Sequence, residues 1–289
     1  MTDRVTLSSG QITIAVQAAG AELASLQDAA GQEFLWQAGP EWPRHAPVLF
    51  PVVGRLRDDT LRVGHEIYPM GQHGFARDSR FELVEQGAEH CRFLLVDSAA
   101  TRAAYPFAFR LEVAYVLHGA SLTVTHTVHN PGEGTLPFSI GAHPAFRWPL
   151  PGAGGKNAHR IEFEQEESGP AWRLDENGLI DATPQPLPVH GRNLGLREDL
   201  FRPSAIILLN PASRRLRYAA PGAKGLEVTW QGFSHLGLWM KPGAEFLCIE
   251  PWAGYADPAQ FWGDIWAKPG MEMLGAGESR RFMWRVSLG

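Results

Sequence analysis

Three short segments place polar or charged side chains among glycine, proline and aromatic residues, a mixture that a purely structural role does not require. They are residues 47–55 (PVLFPVVGR) with their sequel 71–78 (GQHGFARD), residues 138–146 (FSIGAHPAF) and residues 246–254 (FLCIEPWAG). If residues 246–250 form a strand, Phe246, Cys248 and Glu250 share one face, and a carboxylate ends a largely apolar row. Partial burial disfavours the charged form and raises the carboxyl pKa towards neutrality, as a general base working near pH 7 requires. The alternative is a buried carboxylate held by backbone N–H groups or an arginine. His143 falls in an apolar turn bounded by Gly141 and Pro144, and imidazole is the side chain best suited to deliver a proton near neutral pH. Its alternative is a core histidine with satisfied hydrogen bonds. A carboxylate and an imidazole facing each other across a small polar pocket make an acid/base pair that needs no metal, and sugar chemistry is one use for it.

Other signatures of chemistry fail. The chain has no GxxxxGK[ST], no GxGxxG after a strand and no HExxH, which removes support for phosphate loops and thermolysin-type zinc sites. Residues 232–236 (GFSHL) approach the nucleophile-elbow pattern but end in leucine and lack an α/β setting. His126 and His129 form HxxH, yet residues three apart on a strand point to opposite faces and cannot share a metal.

The elements that must position these groups read as short strands. Residues 11–18 alternate Ile12, Ile14 and Val16 against Thr13, Ala15 and Gln17, the period of two of a half-buried strand. Residues 111–117 and 122–128 repeat that pattern around His118-Gly119-Ala120-Ser121 and predict a β-hairpin. Further strands are expected at 92–96, 206–209, 226–230, 236–240, 246–250 and 282–288. Many short strands without helical periodicity argue for an all-β sandwich or barrel and against parallel α/β folds. Residues 149–193 read as the most loop-like stretch, with an acidic patch at 162–167. No linker divides the chain, so residues 1–289 are read as one domain.

Composition agrees. A chain of 289 residues with 44% hydrophobic and 20% charged residues is folded rather than disordered. Its 31 glycines and 22 prolines work against long helices. Net charge is −5 with no basic run, so nucleic-acid binding is not expected. Cys91 and Cys248 form no CxxC pair, which fits a reducing, cytoplasmic compartment. No signal peptide or membrane span is expected.

The segments PVLFPVVGRL, GQHGFARDSRFEL, FSIGAHPAF and GFSHLGLWMKPGAEFLCIEPWAGYAD, in this order, resemble the aldose 1-epimerase (galactose mutarotase-like) family, in its branch of shorter bacterial proteins. The resemblance implies a large antiparallel β-sandwich, the galactose mutarotase-like supersandwich. It implies that Glu250 removes the proton from the anomeric hydroxyl and that His143 protonates the ring oxygen, with no metal, nucleotide or redox cofactor. It also implies that Arg55, His73 and Arg77 line the sugar pocket, holding hydroxyls or a phosphate. Gln72 would add a hydroxyl donor, and Trp252 and Phe75 an apolar wall for the C–H face of the sugar.

One departure stands out: where relatives often carry an aspartate after a DLF-like segment, this chain has Ser204, with Asp199 upstream. The substrate expected is a free hexose. A hexose 6-phosphate is favoured if Arg55 and Arg77 both face the pocket, because two guanidinium groups make a phosphate clamp. A silent sugar-binding protein would need neither Glu250 nor His143, and a glycosidase generally needs two opposed carboxylates where one is found.

Overall fold

In a computed structural model that describes residues 3–289, β-branched and aromatic residues in alternating runs pair into antiparallel strands throughout the chain. The largest sheet has nine strands. Their order is Asn193–Gly195, Arg160–Phe163, Arg215–Ala219, Leu226–Gln231, Ser279–Leu288, Ser121–His129, Arg110–His118, His90–Val96 and Glu82–Gln86. The predicted hairpin lies at its centre, with Leu122 opposite Leu117 and Val124 opposite Tyr115. The last strand runs beside it, setting Phe282, Trp284 and Val286 against His126, Val124 and Leu122.

A second sheet carries the chemistry. It orders Ile206–Leu209, His235–Trp239, Phe246–Ala253, Ile140–Ala142 and Val48–Leu49, with Ala145–Arg147 also pairing to Phe246–Ala253. Leu247, Ile249 and Ala253 enter the main core with Leu236, Leu238, Ile206 and Leu208. The alternate residues Phe246, Cys248 and Trp252 pack away from it in two smaller clusters, among Trp36, Trp42, Trp239, Ile207 and Ala256. Every residue of Phe246–Ala253 is buried. Period-two alternation therefore sorts the strand between two apolar environments rather than between core and water. The architecture is the antiparallel β-sandwich expected from the sequence.

Several boundaries move. The strand expected at 11–18 spans Ile12–Gln17 and is flanked by Arg4–Ser8 and Glu22–Asp28, which were not anticipated. The strand expected at 246–250 continues to Ala253, passing through Pro251. The stretch 149–193 is less loop-like than it reads. It contains Arg160–Phe163, and Trp172 bridges Ile207 on the second sheet. Its acidic patch serves the backbone: buried Glu167 accepts hydrogen bonds from the N–H groups of Ala212 and Ser213 at 2.9 and 2.8 Å. A charged-looking run thus becomes a tether because the neighbouring loop presents unpaired donors. His126 and His129 face opposite ways, the first buried beside Phe233 and the second bonded to the Glu278 carbonyl and Ser279.

Burial of histidines gives the fold a pH signature. Desolvation lowers His126 from 6.5 to about 3 and His235 to about 4, and it lowers His73 and His143 as well. A base whose folded pKa is depressed contributes full stability above 6.5 and loses it as pH falls towards the folded value. Each such group costs about 1.4 kcal/mol per pH unit across that window. In urea unfolding between pH 6.5 and 4, His126→Leu should flatten the fall of stability by up to about one proton's slope. An unchanged slope would show that His126 does not resist protonation.

Candidate functional site

The strand Phe246–Ala253 aims Glu250 out of the second sheet on the side away from the main core. Beside it, Ile140–Ala142 ends at the turn that carries His143. His143 Nε2 and Glu250 Oε2 lie 3.1 Å apart, with both side chains less than a tenth exposed. The surroundings are aromatic: Trp42 stacks on the imidazole at 5.0 Å, and Trp239 and His73 meet it edge-on at 5.7 and 5.6 Å. Burial raises the Glu250 carboxyl well above its usual range, against a smaller opposing pull from the Trp252 indole N–H. Burial likewise pushes His143 down to about 3. Both groups therefore favour their neutral forms, and one proton between them keeps the net charge of the pair at zero whichever partner holds it.

This pair floors a cavity of about 180 Å³. That is smaller than the ~300–1,000 Å³ of sites for drug-sized ligands and suits one small ring. The cavity is lined by Trp42, Gln72, His73, Arg77, Trp239 and Trp252, with Leu174, Ala205, Ile207, Gly54 and Ala256 completing the wall. Glu250 is the one carboxylate of that lining among the described residues.

Two strand glycines make room for the Trp252 ring. A Cβ on Gly141, opposite Trp252 in register, would stand 2.6 Å from its indole, and one on Gly237 would stand 2.6 Å from the far side of the same ring. Neither contact is possible for a real Cβ, so both positions require glycine for close approach.

His73 is fixed by reciprocal bonds to the loop that follows Val48–Leu49. Its N–H donates to the Gly54 carbonyl at 2.8 Å, and the Gly54 N–H donates to His73 Nδ1 at 3.1 Å. Burial, helped by the nearby charges of Arg77 and Arg44, holds the ring neutral. With Nδ1 accepting, the remaining proton sits on Nε2, which makes His73 a hydrogen-bond donor. Arg77 is held by the Gln72 carbonyl at 2.7 Å and keeps a fifth of its side chain exposed. Gln72 itself is exposed. The Gly54 loop is fixed in turn through Asp257, which accepts from the Arg57 N–H at 2.8 Å and pairs with buried Lys268 at 3.0 Å.

Two residues anticipated at the pocket lie elsewhere. Arg55 is not in the lining: its guanidinium grips Asp59 through two bonds of 2.7 and 2.6 Å and reaches the Asn177 carbonyl. A carboxylate four residues on, matching the guanidinium fork, outcompetes the pocket. The two-arginine clamp is therefore not assembled. Phe75 packs with Phe50, Tyr105 and Phe109 instead of forming a wall. Neither candidate for the absent aspartate reaches the cavity, since Asp199 pairs with Arg197 at the surface and the Ser204 hydroxyl accepts from the Leu174 N–H.

Sequence reading missed Trp42 and Trp239. Trp239 could have been found by parity, because register sets it beside Cys248 on the neighbouring strand. Trp42, in a proline-bounded loop, had no such signal.

The profile of the aldose 1-epimerase family matches residues 3–270. The chain belongs to the aldose 1-epimerase family. Protein LacX of Lactococcus lactis subsp. lactis, in plasmid and chromosomal forms, is 34% identical over 262 residues, covering 86% of this chain and 87% of LacX. Among solved structures, a galactose mutarotase-like protein from Lactobacillus casei ATCC 334 superposes with a TM-score of 0.92 at 30% identity, covering 99% of this chain and all of the other. A galactose mutarotase related enzyme from Lactobacillus acidophilus gives 0.91 at 30% identity, over 99% and 97% of the two chains. In this member of the aldose 1-epimerase family, no helix among the described residues is long and apolar enough to cross a membrane.

The glycine pair yields a direct test. Gly141→Ala and Gly237→Ala should each displace the Trp252 ring and destabilise the fold by about 1–3 kcal/mol through overpacking. Trp252→Leu combined with either should recover part of that loss in thermal melts. Simple additivity of the two changes would show that the indole is not what excludes the Cβ.

Proposed function

We propose that this protein exchanges the α and β anomers of a free hexose by acid/base ring opening, with Glu250 and His143 as the catalytic pair. The observation that carries the reading is the 3.1 Å contact between a carboxyl and an imidazole, both desolvated, at the floor of a one-ring cavity. In the forward half-reaction the shared proton first passes to His143, and the Glu250 carboxylate so formed takes the proton of the anomeric hydroxyl. The C1–O5 bond then breaks as the C1 carbonyl forms, and His143 delivers a proton to O5. Rotation about C1–C2 presents the other carbonyl face. On reclosure O5 attacks C1, His143 recovers its proton, and Glu250 returns one to O1.

Net charge does not change in either half, which suits a site that penalises isolated charge. The His73 N–H, the Arg77 guanidinium and the Gln72 amide supply hydroxyl donors, while Trp42, Trp239 and Trp252 offer apolar faces to the C–H groups of a pyranose. The family supports isomerase activity on a sugar, and the free hexose is favoured over its 6-phosphate by Arg55. With that residue locked to Asp59, one lining guanidinium remains.

Anomer exchange followed by NMR at pH 7 with glucose, galactose and glucose 6-phosphate tests the reading. Glu250→Gln and His143→Ala should each return the rate to the spontaneous background, a loss of about 10²-fold or more. Glu250→Gln should also be at least as stable as the wild type, with its advantage growing as pH rises. A raised carboxyl pKa contributes its full stability below the ordinary value of 4.5 and loses it as pH rises from there through the folded pKa, because the folded chain holds a proton that the unfolded chain releases. A wild type no faster than background with every sugar, or a Glu250→Gln variant with full activity, would sink the proposal.

The pH profile is a second test. Because burial holds His143 far below 6.5, the pair gains its second proton only in strong acid. kcat/KM should therefore stay level as pH falls from 6.5 to 5. A drop centred at an ordinary histidine value would contradict the shared-proton pair.

A further inference from the structure

Beside the Glu250–His143 pair, outside the cavity lining, lies a group that anomer exchange does not use. Cys248 precedes Glu250 by two residues on the same face of Phe246–Ala253 and is fully buried. Its Sγ, a ring nitrogen of His143 and a carboxylate oxygen of Glu250 all lie within 4.8 Å of one another. Glu250 Oε2 and His143 Nδ1 are also buried without an aligned hydrogen-bond partner, so the cluster holds unspent donor capacity. A tetrahedral zinc ion, with bonds of about 2.0 Å to nitrogen and oxygen and 2.3 Å to sulfur, places its ligand atoms roughly 3.3–3.6 Å apart. The imidazole–carboxylate edge is already 3.1 Å, and an edge to sulfur at the 4.8 Å limit needs about 1.3 Å of closure to complete a triangular face.

We propose that His143, Cys248 and Glu250 form a binding site for a thiophilic divalent cation of the zinc type, and that its occupation switches off the acid/base pair. The ligand chemistry selects the ion. One thiolate, one imidazole and one carboxylate are all zinc ligands, whereas magnesium and calcium require shells of oxygen that this floor does not offer. The charges close as well: thiolate and carboxylate cancel the two positive charges, leaving a neutral complex among Ala145, Phe246 and Trp239. Binding releases the thiol proton and the proton shared by the pair, and the fourth position opens on the cavity, where water or a hydroxyl completes the shell. The site itself stands independently of the functional reading above; only its inhibitory consequence rests on that reading.

Cobalt(II) chloride titrated into metal-free protein should bind with one equivalent. The bound form should show tetrahedral d–d bands and a thiolate-to-cobalt charge-transfer band in the near ultraviolet, and zinc chloride should displace it. Cys248→Ala and Cys248→Ser should lose the charge-transfer band and weaken zinc by about tenfold or more, while keeping wild-type anomer exchange. Glu250→Gln should weaken zinc similarly but retain the sulfur band, and His126→Leu, altered at a buried histidine elsewhere, should bind as the wild type does. Zinc should abolish wild-type anomer exchange and a chelator should restore it. No saturable cobalt signal, or a charge-transfer band that survives in both Cys248 variants, overturns the site. A wild type without exchange activity would overturn the functional reading instead, with the cobalt spectra still deciding the metal site.

Discussion

Water is kept from a carboxyl and an imidazole that stand in contact, and the rest of the molecule follows from that exclusion. In bulk water Glu250 would be ionised and His143 mostly neutral at pH 7, and neither would hold a proton for the other. Between Trp42, Trp239 and Trp252 the ionised forms become expensive singly, and proton exchange within the pair becomes the inexpensive way to change state. The same dryness keeps Cys248 in its protonated thiol form when no metal is bound, because burial drives its pKa well up.

Such dryness needs a sheet with apolar cover on both faces. The strand Phe246–Ala253 gives Leu247 and Ile249 to the main core and gives Phe246, Cys248, Glu250 and Trp252 to the opposite side. A half-solvated strand would have hydrated the carboxylate. Gly141 and Gly237 let a tryptophan lie flat against the strands where any Cβ would hold it off. The backbone therefore trades β-propensity for close approach at the place where an aromatic wall is required.

The polar rim obeys a different logic. His73 is oriented by backbone bonds to Gly54, and Arg77 by the Gln72 carbonyl, so their directions are set before any ligand arrives. Arg55 shows how local competition removes a candidate: Asp59, four residues on, offers a matched carboxylate, and the guanidinium takes it. The pocket keeps one guanidinium in its lining as a result.

The chain carries its fold class and its candidate acid/base groups openly. Alternation of apolar and polar residues marks the strands of the central hairpin and of the C-terminus, because a pleated strand shows successive side chains to opposite faces. Parity alone places Phe246, Cys248 and Glu250 together, and the motifs around His143 and Glu250 carry the family. Strands such as Arg4–Ser8 and Arg160–Phe163 alternate polar and apolar residues as well, but over runs of only five and four positions that do not stand out from their surroundings. Only the tertiary structure decided that Glu250 and His143 touch, that Trp42 and Trp239 close over them, and that Arg55 turns away while Arg77 lines the cavity. The first two outcomes join residues tens to hundreds apart, and the third turns on whether Asp59, four residues on, or the pocket wins the Arg55 guanidinium; a linear chain records which groups are present but not which will win.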